Sequence, residues 1–396
     1  MTWFTGTATG LKDLHRIIRN KVCGYMEHGP ITFSGAGDGE LSYFGAKPGG
    51  NNETWTITCT TPGTNGVAQF SVVGSTSLAL ADATAGVYYD TPQISFMIVA
   101  NLNDFIATTD VFSVTVTGVG QATTDGNAWI VDQEEIVSSK NGSLIQMHGV
   151  GLSLDKHVGV ITSTAYSTNP ERNAVGFFGC SGYNDLLPIV EQDGVWSNRK
   201  YLLVWDSDID YRIILNNQRF IVLAEVSATG RGVYAGFFFP YGPPTTYGFP
   251  LYIGSDCASN SYPFGDTSRY VGSFVNPGAG GGGLNVPGGG YETVQHYSDG
   301  SNRNTVSNAI WPTGADYSYT TYEQIKESDD GTYSMFPATL VGQTPGEMLG
   351  ELDGVCCIPG FNLAIKDTIN DGVNDWVIWN DSSRTNTTDF YAVRLI

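Results

Sequence analysis

Apolar and polar residues alternate in short runs along nearly the whole chain, and the runs close on Gly, Asn, Asp or Pro. In Trp55-Thr56-Ile57-Thr58-Cys59-Thr60 the alternation builds one apolar and one polar face, because successive strand side chains point to opposite sides. Pro62-Gly63 stops that run, Asn65-Gly66 follows, and Phe70-Ser71-Val72-Val73 starts the return. Asn-Gly tolerates the positive φ of a tight reversal, so the segment predicts a hairpin. Similar runs recur at Ile94 to Val99, Phe112 to Val116, Tyr201 to Trp205, Arg219 to Val226, Val233 to Phe239 and Trp376 to Trp379.

One stretch near the start has a different period. Leu11, Leu14, Ile17, Ile18 and Val22 fall on one helical stripe, with Lys12, Asp13, Arg16, Arg19 and Asn20 off it, and Gly24 closes the pattern. A short amphipathic helix is not stable alone, so the stripe is expected to dock, either within its own chain or on a neighbouring subunit. The fold class that follows is mainly β and multi-domain, with β-sandwich modules and a short N-terminal amphipathic helix.

The expected organisation is an N-terminal helical segment over 1–30, a small β-sandwich over 31–117, a polar linker over 118–128, and a larger β-rich domain over 129–396. Within that domain Val233 to Phe239 is too continuously apolar for a strand with one wet face and should be covered on both sides. Residues 277–290 form a Gly-rich loop without the Lys and Ser or Thr of a phosphate-binding loop. Trp376 to Trp379 and Phe390 to Leu395 should return the tail to the sheet of the second domain.

Composition narrows the function. The net charge is −20 with 19 basic residues, which argues against wrapping nucleic acid. The chain has no run of about 18 apolar residues, so no membrane insertion is expected. Its N-terminus lacks the basic start and apolar stretch of a secretory signal, so synthesis in a cytoplasm is expected. The six cysteines have no CxxC spacing and read as unpaired, mostly buried thiols, with oxidation outside the cell as the other reading.

Candidate chemistry is thin. Asp206-Ser207-Asp208-Ile209-Asp210 has alternate carboxylates but lacks the glycine and terminal Glu of a calcium loop, so a solvated turn is expected, with an irregular Ca²⁺ site as the other reading, and no metal is assigned. The histidines at 15, 28, 148, 157 and 296 lack a nucleophile motif around them. Glu134-Glu135 and Asp329-Asp330 are adjacent pairs, which on a strand point to opposite faces and cannot flank one glycosidic bond. No catalytic residue and no cofactor is therefore assigned. Tyr241, Tyr247, Phe249 and Tyr252 lead a cluster of aromatics in a Pro- and Gly-rich stretch; buried packing, a protein interface and glycan stacking are the three readings.

Several phrases of the chain resemble a family of tailed-phage virion structural proteins associated with tails and baseplates. They are the opening Phe4-Thr5-Gly6-Thr7-Ala8-Thr9 with its Leu-rich helix, Trp55 through Ser75, Ile94-Ser95-Phe96, and Asp110-Val111-Phe112. The most specific is Phe220-Ile221-Val222, then Tyr234-Ala235-Gly236-Phe237-Phe238-Phe239-Pro240-Tyr241-Gly242, then Tyr247-Gly248-Phe249-Pro250-Leu251, and the ending from Leu352 to Leu395 is similar. Cys356-Cys357 and the length of the Gly-rich loop depart from that pattern. The resemblance implies a non-enzymatic component of the virion tail or baseplate, made in the host cytoplasm. It would assemble with copies of itself and other tail proteins; the helix stripe of Leu11, Leu14, Ile17 and Ile18 and the aromatics Tyr241, Tyr247, Phe249 and Tyr252, read above from pattern, are the candidate contact residues. A receptor- or glycan-binding fibre protein and a capsid-decorating protein are the alternatives.

Overall fold

The structure is a computed structural model that describes residues 1–100, 106–117, 129–137, 142–149, 159–165, 173–180, 182–192, 200–205, 207–242, 249–255, 291–296, 302–305, 309–311, 333–341, 348–380 and 390–395. The predicted linker, the Gly-rich loop and Asp329-Asp330 lie outside the described residues. The chain divides into two compact units, one of Met1–His15, Ile130–Gln133 and Leu144–Ile396, the other of Arg16–Trp129 and Glu134–Ser143.

The chain opens with β1 (Thr2–Ala8) and then α1 (Leu11–Val22). Asp13 in the first turn of the helix accepts from the N–H of Thr9 at 3.0 Å and from its hydroxyl at 3.3 Å, favourable for a carboxylate at a helix start. The helix closes as its sequence predicts. Gly24 sits at φ +67°, and the Tyr25 N–H reaches back to the Asn20 carbonyl at 2.8 Å, a Schellman closure that needs the left-handed glycine.

The smaller unit holds β2 (Thr32–Ser34), β3 (Gly39–Ala46), β4 (Thr54–Thr61), β5 (Gln69–Gly74), β6 (Leu80–Thr84), β7 (Tyr89–Asp90), β8 (Ile94–Ala100) and β9 (Val111–Thr115). They form a five-stranded sheet in the order β2-β9-β4-β5-β6 and a three-stranded sheet β3-β8-β7. The predicted hairpin is β4–β5, with Trp55 opposite Gly74 and Cys59 opposite Phe70. Alternate residues of both sheets share one core: Trp55, Ile57, Phe70, Val72, Phe112 and Val114 from one side, Leu41, Phe44, Ile94, Phe96 and Ile98 from the other. This two-layer arrangement is a β-sandwich, in which each sheet buries one face.

Three further sheets follow. The first comprises β10 (Trp129–Val137), β11 (Gly142–Gly149), β12 (Gly159–Ala165), β13 (Ala174–Cys180) and β14 (Lys200–Leu203), hydrogen-bonded in sequence order, with β12, β13 and β14 wholly in the larger unit. Next come β15 (Ile209–Leu215), β16 (Arg219–Val226), β17 (Thr229–Phe237), β18 (Phe239–Pro240), β19 (Phe249–Ser255), β20 (Tyr291–His296) and β21 (Asn302–Thr305). The last group is β22 (Ala309–Trp311), β23 (Phe336–Val341), β24 (Met348–Cys357), β25 (Thr368–Asn370), β26 (Asp375–Asn380) and β27 (Phe390–Arg394). The second sheet runs β1-β15-β16-β17-β19-β20-β21 and the third β22-β23-β24-β27-β26-β25, with β18 on β24.

The second sheet is the middle layer. Ile214, Ile221, Leu223, Tyr234 and Tyr252 on one of its faces share a core with Leu340, Leu352, Val355, Val377, Trp379, Tyr391 and Val393 of the third sheet. On its other face, Phe220 meets Phe177 of β13 with ring centroids 6.3 Å apart. Val233 to Ala235 and Phe238 are accordingly buried, as expected for a strand covered on both sides, but the cover stops short of the run's end, where Phe237 is half-buried and Phe239 exposed. The tail returns to the third sheet, where β27 pairs with β24 and β26.

One expectation is corrected here. Residues 1–30 are not simply helical: Thr2–Ala8 form an antiparallel edge of the middle sheet, Thr2 opposite Leu215 and Ala8 opposite Ile209. Thr-Trp-Phe-Thr is a strand-forming phrase, and its partner lies about 200 residues away, beyond reach of a local reading.

Candidate interaction surface

The residues singled out from the sequence separate into covered and exposed sets. Leu11, Leu14 and Ile18 have 0% exposure and Ile17 has 9%, so the helix stripe is covered by the chain itself and offers no apolar face to a partner. Tyr252 is also at 0%, packed on Tyr234 at 5.7 Å between ring centroids, which corrects its reading as an interaction residue. It is interior because the third sheet covers its face of β19. Tyr241 is 52% exposed and Phe239, two residues before it, 49% exposed. The Tyr241 hydroxyl donates to Glu351 of β24, which fixes the ring in place while leaving its face open. Tyr247 and the side chain of Phe249 lie outside the described residues.

Arg19 and Asn20, predicted to be on the wet side of the helix, are buried. The Arg19 guanidinium donates to both carboxylate oxygens of Glu134 at 3.0 Å, to the carbonyls of Tyr43 at 3.1 Å and Phe44 at 2.9 Å, and to Asn20 Oδ1 at 3.0 Å. Tyr88 donates its hydroxyl to Glu134 at 2.5 Å, and Tyr25 lies 4.8 Å beneath the guanidinium. Burial works against the Arg19 charge, but the charge and hydrogen bonds of Glu134 together with Tyr25 and Tyr88 outweigh it and hold the group above its ordinary pKa. Burial likewise pushes the Tyr25 and Tyr88 phenols up, so both stay protonated donors. Glu134 is thus a structural counter-ion.

A second buried ionic centre holds the larger unit together. Asp353 accepts from Arg219 Nε at 3.2 Å, from Arg394 Nη2 at 3.1 Å and from Asn216, while its own N–H donates to the Tyr234 hydroxyl at 3.2 Å. In both centres the buried charges are matched to charged and backbone partners, the arrangement that makes a buried ion tolerable.

The remaining candidates are dispersed. Asp206 lies outside the described residues, Asp208 is exposed, and Asp210 of β15 accepts from Thr7 at 2.9 Å and Lys366 at 3.1 Å. Lys366 also pairs with Glu225. His15 contacts the Thr162 hydroxyl at 2.8 Å, His28 the Gly29 carbonyl at 2.8 Å, and His148 the Asp132 carboxylate at 2.8 Å. Cys23, Cys59, Cys180 and Cys357 are buried cysteines outside any disulfide, and Cys356 is half-buried. Burial pushes the Cys180 thiol up to about 12 and Cys356 up to about 11, where neither is a nucleophile at neutral pH.

The loop over 182–192 was not singled out from the sequence, although its run Leu186-Leu187-Pro188-Ile189-Val190 is a signal. Ile189 is buried at 0% and anchors the loop, while Leu186 is 85% exposed, Val190 51% and Tyr183 38%. The buried Gln192 side chain pins it. Its Oε1 accepts from the Asn184 N–H at 2.6 Å, and its Nε2 donates to the carbonyls of Asn184 at 2.7 Å and Leu187 at 2.8 Å and to Gln133 Oε1 at 3.3 Å. Tyr183 donates to the Asp132 carbonyl at 2.9 Å, tying the loop to β10.

No family model matches this sequence, and neither does any curated protein. Among the described residues no helix is long and apolar enough to cross a membrane.

Proposed function

We propose that this chain is a structural protein of a tailed-phage virion, in the tail or baseplate, acting by protein–protein assembly without catalytic turnover. The observation that carries the assembly reading is the set of large apolar side chains held out to solvent on hydrogen-bonded frames. Phe239 and Tyr241 stand at 49% and 52% exposure on and just after a strand tied to β24, and Leu186 at 85% on a pinned loop. Apolar side chains held exposed on rigid frames are the surface that another protein could cover. The phage virion reading rests on the resemblance of phrases at both ends and in the middle of the chain. Copies of this chain and neighbouring tail proteins are the partners this reading assigns.

The test is where the chain resides. Mass spectrometry of gradient-purified particles should detect it at stoichiometric level, and gold-labelled antibody should mark tails or baseplates in electron micrographs. Absence from washed particles refutes the virion reading, and labelling confined to heads refutes the tail assignment.

A further inference from the structure

The 182–192 loop combines three properties. Its aliphatic tips point out, its backbone is held by a buried side chain, and its charges have one sign. Leu186 and Val190 are exposed at 85% and 51%, whereas Ile189 at 0% and Gln192 at 4% fix the frame beneath them. The exposed Asp185 and Glu191 flank the two tips, and the loop contains no Lys or Arg. Burial first, then the Asp132 and Asp185 carboxylates, push the Tyr183 phenol above its ordinary value, a local sign of that negative field.

We propose that this loop is a preformed docking site for a basic apolar segment of a partner protein. Leu186 and Val190 would enter the partner's apolar surface while Asp185 and Glu191 face its Lys or Arg side chains. A loop already fixed by four hydrogen bonds of Gln192 loses little freedom on binding, so the apolar contact is not spent on ordering it. A second copy is the poorer occupant, because the chain carries a net charge of −20 and would bring like charge against the acidic flanks. The inference deepens the assembly reading by stating the chemistry of one partner, and rests on it.

The test uses the full chain and three synthetic peptides, one of alternating Lys and Leu, one with every Lys replaced by Glu, and one with every Leu replaced by Ser. Calorimetric titration at physiological salt should show the Lys-Leu peptide binding best. Leu186→Ser with Val190→Ser should weaken it by roughly 10–100-fold, since two aliphatic contacts are lost. Asp185→Lys with Glu191→Lys should turn the preference toward the Glu-Leu peptide, although most of the chain's negative charge remains. Gln192→Ala should weaken binding with both tips still present. Unchanged affinity in the first two variants overturns the proposal, and so does a concentration-dependent dimer in sedimentation that Leu186→Ser abolishes, because the occupant is then a second copy. Particle content is read separately: a chain missing from particles but passing the titration sinks the virion reading alone.

Discussion

The Arg19–Glu134 centre gives the sharpest quantitative prediction. Glu134→Gln keeps the size of the side chain but removes its charge, leaves one acceptor oxygen where two now receive the guanidinium at 3.0 Å and the Tyr88 hydroxyl at 2.5 Å, and turns an amide NH2 toward Arg19. Arg19 is at 0% exposure, out of contact with bulk solvent that could compensate the lost partner. Removing one member of a buried pair costs about 3–5 kcal/mol, a large part of the roughly 5–15 kcal/mol that stabilises a domain. At about 4 °C or more per kcal/mol for a domain of about 100 residues, the smaller unit should melt at least about 12 °C lower. Differential scanning calorimetry of the full chain, with urea unfolding as a second measure, reads this directly. Arg19→Met with Glu134→Leu should fall between wild type and Glu134→Gln, because the stranded charge is gone but the Tyr43 and Phe44 carbonyls lose their donor. A Glu134→Gln loss under about 1 kcal/mol, or a double-mutant cycle with no coupling, refutes the view that this pair is structural.

Other outcomes follow from single sites. Gly236→Ala should destabilise the larger unit by more than about 1 kcal/mol in urea unfolding, since the residue sits at φ +137° and an added Cβ would lie 2.4 Å from the Arg219 Cα and the Gln218 carbonyl oxygen. At Glu53 burial opposes the charge, but the hydrogen bonds from Ser77 and Thr76 outweigh it and hold the carboxylate below its ordinary pKa. Its contribution is therefore complete above the unfolded-state value of about 4.3 and is lost as pH falls through the folded value. Glu53→Gln should cost about 1–2 kcal/mol at pH 7 and flatten the acid limb of a stability-against-pH curve; an unchanged limb sinks that account. Cys180 and Cys356, with thiols pushed up to about 12 and about 11, should resist iodoacetamide at pH 8 in the folded chain and react in denaturant, as read by peptide mass spectrometry. Leu14→Asp should lower stability in the isolated chain, because its side chain is at 0% exposure; full stability would reopen the stripe as an outward-facing peg.

Local periodicity is written in neighbouring residues, and so the individual elements were legible without coordinates. The α1 boundaries, the β4–β5 hairpin, β16 and the return of the tail into a sheet all follow from period-2 or period-3.6 patterns and their stop signals. Even the two-sided cover of β17 was readable, because a strand with no polar face must lie between layers. Tertiary structure alone decided which side chains meet. Thr2–Ala8 became a strand because β15 offered an edge to it, and Arg19 went inside because Glu134, 115 residues away, supplied its counter-charge. Tyr252 and Tyr241 come from the same aromatic stretch, yet one is interior and the other exposed, since only the first lies on a face that the third sheet covers. Leu186 reads like any core leucine in sequence; Gln192 and Ile189, by holding the loop from beneath, turn it outward. Pattern states which residues prefer to leave water, while long-range pairing determines which of them succeed.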